Sequence, residues 1–79
     1  MPFYRKKPGV VDAMQYDGRN AADVIHWSGR ACHYGFTGLY VPTQQGIAVT
    51  RRGDWVVRDS QGAYSVWTPE RFDAQFEPH

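Results

Sequence analysis

The chain contains a single cysteine, Cys32, among its 79 residues. One thiol excludes an internal disulfide, and it cannot supply the thiolate set of a structural zinc site. Charge of one sign is also missing. Nine Lys and Arg against eight Asp and Glu leave a formal net charge of +1, which argues against a general nucleic-acid coat. No apolar run approaches membrane-spanning length. The basic residues near Met1 have no apolar stretch behind them, so they do not read as a secretory signal. A lone thiol without a signal fits a reducing cytoplasm.

Catalytic and phosphate-binding patterns are equally scarce. The glycines are spread as turn punctuation, with no Gly-rich phosphate loop. Cys32 and His33 are sequence neighbours, and neighbours on a strand point to opposite faces, which makes a poor dyad. His26, His33 and His79 lack metal-site spacing. Asp12, Asp54 and Asp59 meet only if the fold brings them together, and Asp54 reads as a turn-binding carboxylate. Arg52-Gly53-Asp54 spells an adhesion tripeptide, which recurs by chance. The sequence therefore predicts no catalytic residue, no metal site and no cofactor.

Aromatic mass is abundant: three Trp, five Tyr and four Phe. A domain this small has a limited core and a thin stability margin. Twelve rings exceed what such a core readily encloses, which places some at a subunit interface or in a ligand groove. A homo-oligomer is the expectation.

The chain is organised around Arg51 to Trp67. Trp55-Val56-Val57 and Tyr64 to Trp67 are two β-rich runs. Asp59-Ser60-Gln61-Gly62 supplies a turn between them, with Gly62 free to take positive φ. Arg52-Gly53 makes a sharp entrance. Thr68 caps a short C-terminal helix with Pro69 at its first position, and Phe72 and Phe76 lie one turn apart.

Upstream, Val10 to Tyr16 reads as a strand covered on both sides, with Val10, Asp12, Met14 and Tyr16 on one face. After the Asp17-Gly18 turn, Asn20 is placed to cap a helix, with Asp23 completing a capping box. Ala21, Val24, Ile25 and Ser28 form its apolar stripe, Trp27 lies off it, and Gly29 ends it. Ala31 to Phe36 and Leu39 to Thr43 follow as strands, with Pro42 confined to an edge or strand end. Ile47 to Arg51 alternates Ile47, Val49 and Arg51 against Ala48 and Thr50, the pattern of a half-buried strand. The expected fold is one α+β domain over residues 1–79. It has a mostly antiparallel sheet of four to six short strands, one main helix and a short C-terminal helix.

Tyr4-Arg5-Lys6-Lys7-Pro8, followed by Val10-Val11-Asp12-Ala13-Met14-Gln15-Tyr16, resembles the opening of a family of small phage-encoded proteins of uncharacterised function. Those carry a Tyr-Arg-Lys-Lys-Pro box and a Val-Glu-Ala-Val-Gln-Tyr/Trp segment. Gly53-Asp54-Trp55-Val56-Val57-Arg58 resembles their Pro-Gly-Asp-Tyr/Trp core, and Gly62, Pro69, Phe72 and Phe76-Glu77-Pro78 resemble their tail. The resemblance covers both ends of the chain. Arg52 stands where the family usually has Pro, and Trp67 where Cys is common, so any role of that cysteine is absent here. The resemblance implies a phage or prophage origin, the cytoplasm of an infected bacterial host, and no catalytic mechanism. Small phage proteins of this kind often modulate the host, including by sequestering nucleotide-derived immune signals.

Arginine beside aromatic rings is the remaining chemistry. Arginine forks bind phosphate, and flat rings stack on bases. Tyr4, Arg5 and Lys6, with Arg51, Arg52, Trp55, Arg58, Tyr64 and Trp67, are the candidate residues for a small anionic, nucleotide-like ligand at a subunit seam. The plainer reading makes Trp55 and Trp67 core and the cations solvated edge charges. Two functions follow from the sequence. One is a non-enzymatic protein that sequesters such a ligand. The other is an interaction module that binds a host or phage protein through exposed aromatics.

Overall fold

The computed structural model describes residues 3–5 and 10–78. The chain runs β1 (Phe3–Arg5), β2 (Val10–Gln15), α1 (Ala21–Trp27), β3 (His33–Gly35), β4 (Gly38–Thr43), β5 (Gly46–Thr50), β6 (Trp55–Arg58), β7 (Tyr64–Trp67), α2 (Pro69–Gln75) and β8 (Glu77–Pro78). The strands form two antiparallel sheets, one ordered β7-β6-β2-β1-β8 and the other β3-β4-β5. The α+β class is as expected, but the details differ. Among the described residues there are eight strands rather than the expected four to six, and they split between two sheets. The two helices are equal, at seven residues each, rather than one main and one short. The extra strands are short pieces: β8 has two residues, too few to show a period of two.

The large sheet is covered on both faces. On one, Ala13, Val57, Phe72 and Phe76 are buried, with Val11, Trp55 and Trp67 packed against them, so α2 lies there. On the other, Tyr16, Val24, Cys32, Leu39, Val41 and Val56 form a second core, which joins α1 and the small sheet to β2, β6 and β7. β2 thus has cover on both sides, as its mixed pattern predicts.

The hairpin forms as read. Trp55 pairs with Trp67 and Arg58 with Tyr64. Asp59 Oδ1 accepts from the Gln61 and Ala63 amides at 2.9 and 3.0 Å, which fixes the turn. At its entrance, the Asp54 amide donates to the Arg51 carbonyl at 2.9 Å, and Gly53 takes φ 98°. This is a tight turn whose third residue needs positive φ, the reason glycine stands there. The Arg51 amide donates to Asp54 Oδ2 at 3.1 Å, so Asp54 does bind its own turn.

Both helix ends follow their local chemistry, with one correction. Thr68 Oγ1 accepts from the Arg71 amide at 3.4 Å. Past α1, the Gly29 amide reaches the His26 carbonyl and the Arg30 amide reaches the Ile25 carbonyl, the paired bonds of a Schellman ending. Asn20, however, makes no side-chain cap. Its amide nitrogen donates to the Gln15 carbonyl at 2.8 Å and its oxygen accepts from the Asp17 amide at 3.0 Å. Local side-chain bonding in the 15–20 turn has displaced the capping box.

The small sheet begins later than expected, at His33 rather than Ala31. Tyr40 lies across Gly35, where a Cβ would fall inside its ring, so only glycine permits that approach. Pro42 sits beyond the stretch of β4 that β3 pairs, where no β3 partner needs its missing N–H.

β5 is the exception to ordinary patterning. Thr50 is fully buried and Ala48 half-buried, whereas Ile47 is 74 % and Val49 41 % exposed. Its more apolar face looks outward. The inward Thr50 hydroxyl has no hydrogen-bond partner among the described residues, a cost of about 1–3 kcal/mol.

Candidate functional site

Period-two alternation along β6 and β7 divides the hairpin candidates between two faces. Arg58 and Tyr64 turn toward α1; Trp55 and Trp67 turn toward α2. One seam therefore does not gather all of them.

On the α2 side the rings pack against one another. Trp55 stacks on Phe72 with centroids 4.0 Å apart and planes 4° from parallel. Phe72 stacks on Phe76 at 4.7 Å, and Phe76 meets Trp67 edge-on at 5.0 Å. Arg71 covers the Trp67 ring at 5.2 Å. These contacts are core and rim packing, worth about 0.5–1.5 kcal/mol per ring pair beyond burial.

On the α1 side Arg58 ties three elements together. Its Nη2 donates to Asp12 Oδ2 at 2.7 Å and its Nη1 to the Trp27 carbonyl at 2.9 Å. Its guanidinium lies 4.5 Å over the Trp27 ring centroid. Trp27 Nε1 also donates to Asp12 Oδ2, at 3.1 Å, and Tyr64 meets Trp27 edge-on. The Tyr64 hydroxyl donates to the Ser28 carbonyl at 3.0 Å. A cation and a hydroxyl thus satisfy carbonyls at the negative end of α1. Burial opposes the charge on Arg58, but Tyr64 and Asp12 outweigh it and hold its pKa above the usual value. Asp12 Oδ1 is buried without a hydrogen-bond partner among the described residues. Trp27, off the helix stripe, is half-buried because it reaches sideways to this cluster.

A cleft of about 210 Å³ opens beside it, lined by Val10, Val11, Asp12, Arg58, Asp59 and Ser60. A shallower depression of about 340 Å³ lies at Met14, Asp23, His26 and Trp27. The first places two carboxylates beside one arginine, a poor balance for phosphate.

The remaining candidates lie elsewhere. Arg51 and Arg52 are exposed at the turn between the two sheets, and the Arg52 side chain passes close to Gly18. Tyr4 and Arg5 belong to β1, and Lys6 lies outside the described residues. Cys32 is buried and His33 exposed, but Cys32 lies ahead of β3 rather than on it, so strand alternation is not the reason. Among the described residues, no group of three or more His, Cys, Asp and Glu could hold a metal ion. No helix there is long and apolar enough to cross a membrane.

Sequence reasoning missed the outer face of the small sheet. His33, Tyr40 and Val49 lie side by side in register, with Pro42 beside Ile47 in the next outward row. Phe36, at the β3–β4 turn, is fully exposed. Among the residues whose burial is described, the exposed large apolar side chains are Tyr34, Phe36, Ile47 and Val49, which belong to this sheet or its turn, and Val10, which does not. The alternation of Ile47 and Val49 was the visible signal, but alternation does not say which face is inside.

No family model matches the chain, and no curated protein or solved structure matches it.

Proposed function

We propose that this is a non-enzymatic interaction module that binds another protein through the outer face of its three-stranded sheet. The inverted strand β5 carries the reading. Ile47 and Val49 face solvent while Thr50 is buried with an unpartnered hydroxyl. An open sheet face is ordinarily polar, and a contiguous apolar one marks an interaction surface. The resemblance of the two ends of the chain to small phage proteins supports a phage origin, a host or phage protein as the partner, and the infected bacterial cytoplasm as the setting.

Sequestering of a small anionic, nucleotide-like ligand by a homo-oligomer is the second reading. Its support is the Arg58 guanidinium lying on Trp27 beside an open cleft. Asp12 and Asp59 in the same lining weigh against it.

The deciding experiment is quantitative affinity capture from bacterial lysate with the wild-type chain and with Ile47→Lys in parallel. A protein retained by the first and lost by the second is expected. Identical captured sets overturn the reading. A nucleotide that raises the melting temperature of both chains equally favours the second one.

A further inference from the structure

The pairing of β5 and its side-chain pattern disagree. Thr50 lies opposite Leu39 and Ala48 opposite Val41, while Val49 and Ile47 lie opposite Tyr40 and Pro42. Leu39 and Val41 are fully buried. From β5 they receive an alanine and a threonine whose hydroxyl has no partner among the described residues, while the two large apolar residues of the strand face solvent. A one-residue slip turns every side chain of a strand to the other face. With Val49 slipped opposite Leu39, Ile47 comes opposite Val41. Both are then inside, and Thr50 is carried out of the core.

The local chemistry accommodates this slip in one direction only. The opposite slip would set Arg51 against Leu39 and bury a charge. Valine in the place of Thr50 keeps its shape and lacks its hydroxyl. Isoleucine in the place of Ala48 is larger, but Ala48 is only half-buried. The loop Gln44-Gln45, closed by the Thr43–Gly46 pair, lengthens to residues 43–45. Gly46, at φ 115°, supplies the positive-φ residue with which three-residue loops close. At the other end Thr50 becomes an unpaired bulge, so the Arg51–Asp54 turn keeps its bonds. Among the described residues β5 has β4 as its one strand neighbour, so a single ladder is rearranged. The lost Thr43–Gly46 pair and the bulge oppose the gain, which keeps both registers within reach.

We propose that β5 exchanges between two registers, the observed one with Ile47 and Val49 outward and one slipped by a single residue with both inward. The exchange opens and closes the apolar face of the small sheet. A partner that packs on Ile47 and Val49 binds the open register and draws the population toward it. That use rests on the interaction-module reading above; the slip itself does not.

The test is NMR of the full chain without a partner. Relaxation dispersion is expected at residues 39–42 and 46–50, and not in the paired stretches of β2 and β6. Thr50→Val removes the orphaned hydroxyl from the open register and is expected to lower the minor population about tenfold. Thr50→Lys buries a charge in the open register and exposes it in the slipped one. It is expected to keep the amide pattern of β2 and β6, while interstrand contacts pair Leu39 with Val49 and Val41 with Ile47. A wild type without dispersion, dispersion unchanged in Thr50→Val, or a folded Thr50→Lys chain with Leu39 still opposite residue 50 overturns the inference. If Thr50→Lys does not fold, the first two measurements decide. Exchange in a chain whose Ile47→Lys variant captures the same proteins keeps the slip and removes the interaction reading. A protein lost by Ile47→Lys from a chain without exchange does the reverse.

Discussion

The two sheets are built on opposite terms. The large sheet has α2 on one face and α1 with the small sheet on the other, and its alternating residues find apolar neighbours on both sides. The small sheet buries Leu39, Val41 and Thr50 on one face and leaves Tyr40, Pro42, Ile47 and Val49 on the other. The two sheets share one of the domain's cores, to which the small sheet contributes Leu39 and Val41. The small sheet keeps exposed an apolar surface that folding alone does not use. Apolar side chains are therefore not evidence of core by themselves; what decides is the layer that covers them.

The sharpest way to break this comparison is to remove a side chain from the covered sheet. Phe72→Ala deletes a buried ring that stacks on both Trp55 and Phe76. A loss of about 4 kcal/mol is expected in urea unfolding, enough to threaten folding in so small a domain. Asp12→Ala comes next. It leaves Arg58 and the Trp27 indole without their shared acceptor, and about 2 kcal/mol is expected to be lost in the same assay. Part of the pair is solvent-accessible, which keeps the loss below that of a fully buried ion pair.

Tyr16, in the core beneath the small sheet, gives a pH-dependent test. Burial, and then Tyr34 and Asp17, push its hydroxyl above the usual 10.0. Burial likewise pushes the Cys32 thiol above 9.0, against the lowering by Ser28 and Arg58. Folding therefore favours the neutral form of both groups. Their contribution is complete below the unfolded pKa values and is lost as pH rises through the folded ones. Thermal melts from pH 8 upward are expected to show a falling midpoint above about pH 9, with a shallower fall in Tyr16→Phe. An unchanged alkaline slope in that variant would remove Tyr16 from the account.

The smallest effect belongs to the open face. Ile47→Lys is expected to change stability by no more than about 0.5 kcal/mol, because Ile47 is mostly exposed. A loss comparable to Phe72→Ala would show that the outer face is covered within the chain, and the comparison would fail.

Much of the domain was legible locally. The 59–63 turn, the Thr68 cap, the Gly29 helix stop and the Phe72–Phe76 pair each depend on a few neighbouring residues, and each formed as read. The Asn20 cap did not, because Gln15 and Asp17 offered its side chain other partners within the same turn. The candidate site was legible only as a list. Arg58, Tyr64, Trp55 and Trp67 belong to one hairpin, but alternation sends them to opposite faces. Asp12 and Trp27, which hold Arg58, lie 46 and 31 residues away from it in sequence. The sequence by itself determined the α+β class, the central hairpin and the alternation of β5, because these follow from backbone propensities and side-chain period. Only the tertiary structure decided that there are two sheets, and that Thr50 rather than Ile47 lies inside. A one-residue choice of facing is invisible in the period and is set by what packs against the strand.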